Sequence, residues 1–216
     1  MAMRSQYAGY RAKRRNSGER KRRKIFWLAT EGDNKTETHY FRDMGQALDI
    51  CFRFVPGNYT DPVQIAASME QIFDDNTLDE DDDKAYCLID ADFNPMRNAL
   101  IAKADDIANK YGFRILISAP CFETWLLCHF SASAKQYYSN DEVLRTLQRY
   151  LRNYSKNAQG IYAATAALLP EAIKNAKQLE RTCQNAGYAL HTTEFQPSTE
   201  IYVLIEDILH SRETSQ

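Results

Sequence analysis

Four short apolar runs, at residues 24–30, 50–56, 85–91 and 113–119, alternate with three stretches whose apolar residues recur at helical spacing. That alternation restricts the chain more than any other feature. Strands separated by helical crossovers pair in parallel, and a parallel sheet must be covered by helices on its faces. The expected fold is therefore α/β, a mostly parallel, Rossmann-like sheet of about four strands flanked by helices. From Cys121 onward the pattern turns helical, with "CFETWLLCHF" apolar almost all round, an amphipathic stretch at 141–154, a helical pair or one interrupted helix at 161–187, and a last helix or strand at 198–209. Three parts follow: a basic arm at 1–23, an α/β core at 24–131, and a helical C-terminal part at 132–216 packed on that core.

Local punctuation agrees with this division. Asp61-Pro62 is a helix start, Gly112 a helix stop, and Thr36 a candidate N-cap with Glu37 in the first turn. The acidic run "DDNTLDEDDD" at 74–83 lacks the spacing of a calcium loop and reads as a solvated connection. The five cysteines are dispersed without a C-x-x-C pair, which implies neither a disulfide framework nor a zinc site. Trp125, in wholly apolar company, reads as a core residue, and His129 as a surface or core residue rather than a ligand. No apolar run approaches the ~18 residues of a membrane span, and no signal peptide is visible, so a cytoplasmic protein is expected.

The net charge of −2 conceals an asymmetry. Ten of the 27 basic residues fall within residues 1–24 beside a single acid, leaving 17 basic against 28 acidic residues in the rest, a net of −11. A basic arm on an acidic body suits a nucleic-acid contact through Arg14, Arg15, Arg20, Lys21, Arg22 and Arg23. It equally suits a solvated leader that touches the chain's own acidic surface. The composition of the arm argues for disorder when unbound.

In open α/β sheets, sites lie at the carboxyl ends of the strands. At those ends stand Glu31 after the first strand, Asp90 and Asp92 at the third, and Glu123 just beyond the fourth, with Glu37 opening the helix after the first. The D-x-D pair alone would fit an ordinary loop start, since Asn94-Pro95 is turn chemistry. In an extended chain both of its carboxylates would face one side, where like charges call for a cation. Five carboxylates on one edge suit a hard oxygen-seeking cation, Mg²⁺ or Mn²⁺, and such ions serve phosphoryl chemistry. The phosphate-binding loop G-x-x-x-x-G-K-[ST] and the G-x-S-x-G and G-x-G-x-x-G motifs are all absent.

A strand ending in Glu-Gly and a later one ending in Asp-x-Asp resemble the Toprim fold of topoisomerases, primases and overcoming-lysogenization-defect nucleases. The ordered set "EGDNKTETHYF" (31–41), "LIDAD" (88–92), "PCFETWLLCHF" (120–130), "YSKN" (154–157) and "QPSTEIYVLI" (196–205) resembles the RloB family of Toprim-like proteins from bacterial defence islands. The resemblance implies a metal-dependent endonuclease acting on RNA such as tRNA, or on DNA, as effector of an anti-phage, abortive-infection system. It implies Glu31 as metal ligand or general acid/base, Asp90 and Asp92 as ligands, Glu37 and Glu123 completing the shell, and Lys156 stabilising charge at the scissile phosphate. Lys156 also reads as a solvated lysine, and Ser198-Thr199 as a helix cap after Pro197. Two further readings stand beside this one: a non-catalytic nucleic-acid-binding partner of a defence ATPase, and a nucleotidyl- or phosphotransferase.

Overall fold

A computed structural model describes residues 23–32, 35–75, 77–79 and 82–213. The expected α/β architecture is present, with five strands in the order β2-β1-β3-β4-β5. β1 (Ile25–Thr30), β2 (Cys51–Phe54), β3 (Lys84–Asp90) and β4 (Arg114–Ala119) are mutually parallel. The fifth, β5 (Ser198–Thr199), is only two residues long and runs antiparallel to β4. It exceeds the four strands expected because the 198–209 segment divides its ambiguity, pairing briefly at the sheet edge before turning into a helix, α8 (Ile201–Glu213).

Strand side chains alternate between faces, and the chain uses both. Phe26 and Leu28 of β1, Tyr86 and Leu88 of β3, and Leu116 of β4 enter one core. Ile25, Trp27, Ala29, Ala85, Cys87, Ile89, Ile115 and Ile117 enter a second on the opposite face. The second core is covered by α2 (Pro62–Asp74) and α3 (Arg97–Tyr111) through Ile65, Ala66, Met69, Ile101, Ala104 and Ala108. The first is covered by α1 (Lys35–Leu48), α4 (Glu123–Cys128), α5 (Asn140–Leu147), α6 (Ile161–Thr165), α7 (Leu169–Asn185) and α8. Residues as far apart as Phe26 and Ile208 share that core, so the C-terminal helices and the sheet fold onto common apolar surface.

Several local expectations hold. Asp61 caps α2 by accepting from the amides of Val63 and Gln64, and Gly112 ends α3 at a left-handed φ of 82°. Trp125 is fully buried. So is His129, whose pKa burial lowers to about 4. Its neutral ring lies 3.2 Å from the Trp125 carbonyl through Nδ1 and 3.5 Å from the Tyr40 hydroxyl through Nε2. All five cysteines are free thiols. Among the described residues no helix is long and apolar enough to cross a membrane.

Others need correction. Thr36 lies inside α1 rather than capping it, and its hydroxyl instead accepts from the Asn157 amide at 2.9 Å. The helix read at 141–154 ends at Leu147, because the Gln148 side chain turns to donate to the Tyr154 carbonyl at 3.0 Å. Of the two readings of 161–187 the helical pair holds, as α6 and α7, and the single interrupted helix does not: Pro170 occupies the first turn of α7, where a missing N–H costs nothing. The acidic run is not wholly solvated: Asp83 is buried and accepts from the Ile25 amide at 3.0 Å and the Trp27 indole at 3.4 Å. Thr199 accepts from the Ile201 amide at 3.4 Å, a weak cap, but its main role is the β5 edge and a 2.9 Å hydroxyl pair with Ser118.

The C-terminal segment is fastened to the sheet by a charged pin. Glu200 exchanges two backbone-directed bonds with Ile117, its amide donating at 3.0 Å and its carboxylate accepting at 2.9 Å. His191 stands between that carboxylate, 2.9 Å away, and Asp105 of α3, 2.7 Å away. Burial alone would lower the imidazole pKa, but the two carboxylates more than offset it and raise it from 6.5 to about 10. The stabilisation is therefore complete below about pH 6.5 and fades as pH rises through about 10. His191→Ala is expected to cost roughly 2–3 kcal/mol at pH 7. The variant should also flatten the decline in stability between pH 7 and 10, as measured by urea unfolding across that range.

Candidate functional site

Because β1, β3 and β4 are parallel, their carboxyl ends face one way, and the sequence has placed acids at each. Glu31 follows β1, Asp90 is the last residue of β3, and Glu123 is the first of α4, just beyond β4. Glu37 sits in the first turn of α1, on the same edge. Gly32 supports the first of these positions. It has a φ of +40°, donates its amide to the Tyr59 carbonyl at 2.6 Å, and would bring a Cβ within 3.3 Å of Asn58 and Thr60. A side chain there would be strained and crowded.

The Asp90–Asp92 pair is not a strand pair. β3 ends at Asp90, whose side chain continues the Tyr86–Leu88 face, while Asp92 adopts a left-handed φ of 56° and donates its amide to the Pro120 carbonyl at 2.9 Å. The turn that follows the sheet, rather than strand alternation, aims the second carboxylate. A non-glycine residue in that region is uncommon and marks a position held by its surroundings.

The site has two levels. An open cavity of about 290 Å³ is lined by Glu31, Gly32, Thr60, Asp90, Asp92, Asn140, Lys156 and Asn157. Glu37 and Glu123 do not line it; each is 1% exposed. One oxygen of Glu123 accepts from the Tyr154 hydroxyl at 2.9 Å, but its Oε2 and that of Glu37 are buried without a hydrogen-bond partner. The Asn140 Oδ1 is likewise buried and unpaired. Lys156 reaches the cavity from the loop that Asn157 ties to Thr36, next door to Glu37.

Electrostatics follow from this crowding. Burial, opposed by Arg97 and reinforced by Asp92, raises the Glu31 pKa from 4.5 to about 7. Glu37 is held well above the carboxylate range by burial and then by Glu31 and Glu123, with Lys156 acting the other way. Asp90 is raised by burial and then by Glu37, Glu31, Glu123 and Asp92. Glu31, Glu37 and Asp90 are thus each raised by burial and by other acids of the set.

Sequence reasoning missed Arg97, the first residue of α3. Its side chain is 13% exposed, and its guanidinium bonds the Glu31 carboxylate and lies 3.6 Å from the Asp92 carboxylate. It also donates to the backbone carbonyls of Asp90 at 2.8 Å and Thr60 at 3.1 Å. The turn after Asp92 that carries it was legible, but nothing local said that this arginine would fold back over the carboxylates. Tyr154 was read as part of an apolar helix face and of the "YSKN" stretch but given no site role, and Asn140 not at all.

Among the described residues no group of three or more His, Cys, Asp and Glu side chains is arranged to hold a metal ion. The donor chemistry nonetheless suits a hard cation: every acceptor at the rim is an oxygen, and two buried carboxyl oxygens have no hydrogen-bond partner. Of the arm, Arg14, Arg15, Arg20, Lys21 and Arg22 lie outside the described residues. Arg23 is exposed and pairs with Asp49 of the body's own surface at 2.7 Å.

Fold and edge together define an α/β protein with an acidic cluster at the carboxyl ends of a parallel sheet, closed over by C-terminal helices. The chain belongs to the family of RloB-like proteins, whose profile matches residues 26–208. No curated protein and no solved structure matches it.

Raised carboxyl pKa values mean that folding holds protons which the unfolded chain releases, so stability falls as pH rises from about 4.5 through about 7. Removing a buried charge should relieve this. Asp90→Asn is expected to stabilise the metal-free protein by roughly 1–3 kcal/mol at pH 8. The gain should shrink toward zero at pH 5, read as the difference in thermal midpoint between variant and wild type at each pH.

Proposed function

We propose that this chain is an endonuclease that hydrolyses phosphodiester bonds with Mg²⁺ or Mn²⁺, acting on RNA such as tRNA, or on DNA. The observation that carries the reading is the pair of unpartnered carboxyl oxygens, Glu37 Oε2 and Glu123 Oε2, buried beside an acidic edge whose open cavity also presents Lys156. Glu31, Glu37, Asp90, Asp92 and Glu123 would share the cation, which when bound neutralises phosphate oxygens and activates water. The chain's own groups do the rest. Lys156 meets the phosphate in the cavity. Glu31, with a pKa of about 7, can exchange a proton near neutral pH. The basic arm offsets the acidic body in drawing nucleic acid to it. Membership of the RloB-like family supports a place in anti-phage defence in the cytoplasm, as the effector of an abortive response with a partner ATPase.

A second reading has its own observation. With Arg97 already engaging Glu31 and Asp92, the rim could serve as a folded scaffold, the chain acting as a non-catalytic nucleic-acid-binding or regulatory partner of that ATPase. Deleting residues 1–23 would then abolish binding to nucleic acid while no variant of the rim affects it.

The endonuclease reading predicts cleavage of tRNA or plasmid DNA that requires Mg²⁺ or Mn²⁺ and stops on chelation. Asp90→Ala and Glu123→Gln should each lower the rate by more than about 100-fold. Equal rates in wild type and both variants, followed on denaturing gels, would refute the assignment.

A further inference from the structure

A second cavity, of about 230 Å³, lies outside the acidic one and is lined by Phe93, Pro95, Gln136, Tyr188 and Gln196, with Glu194 at its wall. The two cavities draw on the same two stretches of chain. Asp92 and Asn140 line the first, whereas Phe93, Pro95 and Gln136 line the second. The walls of the second are tied to each other through Asn98. Its side chain accepts from the Thr193 amide at 2.9 Å and donates to the Glu194 carboxylate at 3.1 Å, and its backbone amide donates to the Pro95 carbonyl at 3.1 Å. The space is therefore built into the fold, as ligand pockets commonly are.

Its chemistry is unlike that of its neighbour. No lysine or arginine lines it among the described residues, and the Glu194 carboxylate repels phosphate. Rings and an amide take their place. Of the seven exposed large apolar side chains, four fall here: Tyr188 in the lining, and Met96, Tyr138 and Leu190 within two residues of lining positions. Phe93 packs against the core and is held by it. Gln196 Oε1 is buried without a hydrogen-bond partner, so turning that amide toward the cavity gives up no bond made by the oxygen. Rings beside an amide with an unpaired oxygen suit a nucleobase, which offers a π-face for stacking and an edge of donors and acceptors.

We propose that this second cavity seats one unstacked nucleobase, next to the phosphate that Lys156 meets in the acidic cavity, and that the chain therefore takes single-stranded or looped nucleic acid rather than duplex. The inference rests on the endonuclease reading for the place of the phosphate and adds where the neighbouring base goes. A paired base gives its edge to its partner and its faces to the stack, and drawing it out costs both. A base in a loop or a free strand is already available. The division of charge fixes how a nucleotide fits: its phosphate lies toward Lys156, and its ring toward Phe93, Tyr188 and Gln196, where Glu194 turns phosphate away.

The test is the affinity of the full chain for labelled probes of about twelve nucleotides, followed by fluorescence anisotropy in EDTA so that nothing is cut. The probes are a mixed-sequence strand as RNA and as DNA, the same strands in duplex, and a DNA chain of abasic units that keeps the phosphates and lacks the bases. The basic arm meets all of them through phosphate, so ratios of affinity isolate the base. Wild type should hold the single strand at least about tenfold tighter than the abasic chain. Tyr188→Ala, at an exposed position outside the core, should weaken single-strand binding by about tenfold and leave duplex binding unchanged. Gln196→Leu, which keeps size and removes the amide, should act in the same direction. An abasic chain bound as tightly as the strand, a loss in Tyr188→Ala as large for duplex as for single strand, or no loss in either variant overturns the proposal. Should Tyr188→Ala fail to fold, the wild-type ratio of base-bearing to abasic chain decides. A chain that shows this dependence on bases yet cuts no strand with Mn²⁺ removes the endonuclease reading and leaves the base pocket standing. Cleavage of duplex and single strand at like rates, unchanged in Tyr188→Ala, does the reverse.

Discussion

A parallel strand has no polar face to give to water, and from that constraint the rest of this protein follows. β1, β3 and β4 bury side chains on both sides, so helices must cover both. Crossovers return each strand in the same direction, and the carboxyl ends accumulate on one edge. Acids placed at those ends are thereby brought together, and neighbours in the set raise the pKa of Glu31, Glu37 and Asp90. The apolar packing holds in place a cluster that would otherwise fly apart.

Relief of that repulsion comes in graded form. Glu123 has a tyrosine hydroxyl, Glu31 and Asp92 have an arginine, and Glu37 feels Lys156 from a loop. None of these matches the full negative charge of the set. What is left over is two buried carboxyl oxygens, on Glu37 and Glu123, without hydrogen-bond partners. At the β4–β5 edge His191 stands between Asp105 and Glu200, one imidazolium bridging two carboxylates.

The C-terminal helices complete the site as well as the core. Tyr154 and Lys156 lie in the connection after α5, and Asn157 anchors that connection to Thr36 beside Glu37. β5 and Glu200 hold the final segment against β4, which keeps the covering layer in register with the strand ends. A chain cut after α4 would expose the apolar surface of Trp125 and Leu126 and lose the groups that face the inner carboxylates.

Much of this was written in short-range pattern. Short apolar runs marked the strands, Asp61-Pro62 and Gly112 marked helix ends, and the acids at strand ends announced an oxygen-rich edge, because each of these signals acts within a few residues. Tertiary structure alone decided the rest. Asp92 is aimed by a left-handed turn braced on Pro120, Asp83 is buried by contacts with a strand 58 residues away, and Arg97 folds back over Glu31 from 66 residues along the chain. Periodicity tells which face a side chain occupies, but the partner of a charge depends on which distant backbone is brought beside it, and that is set only when the whole sheet has closed.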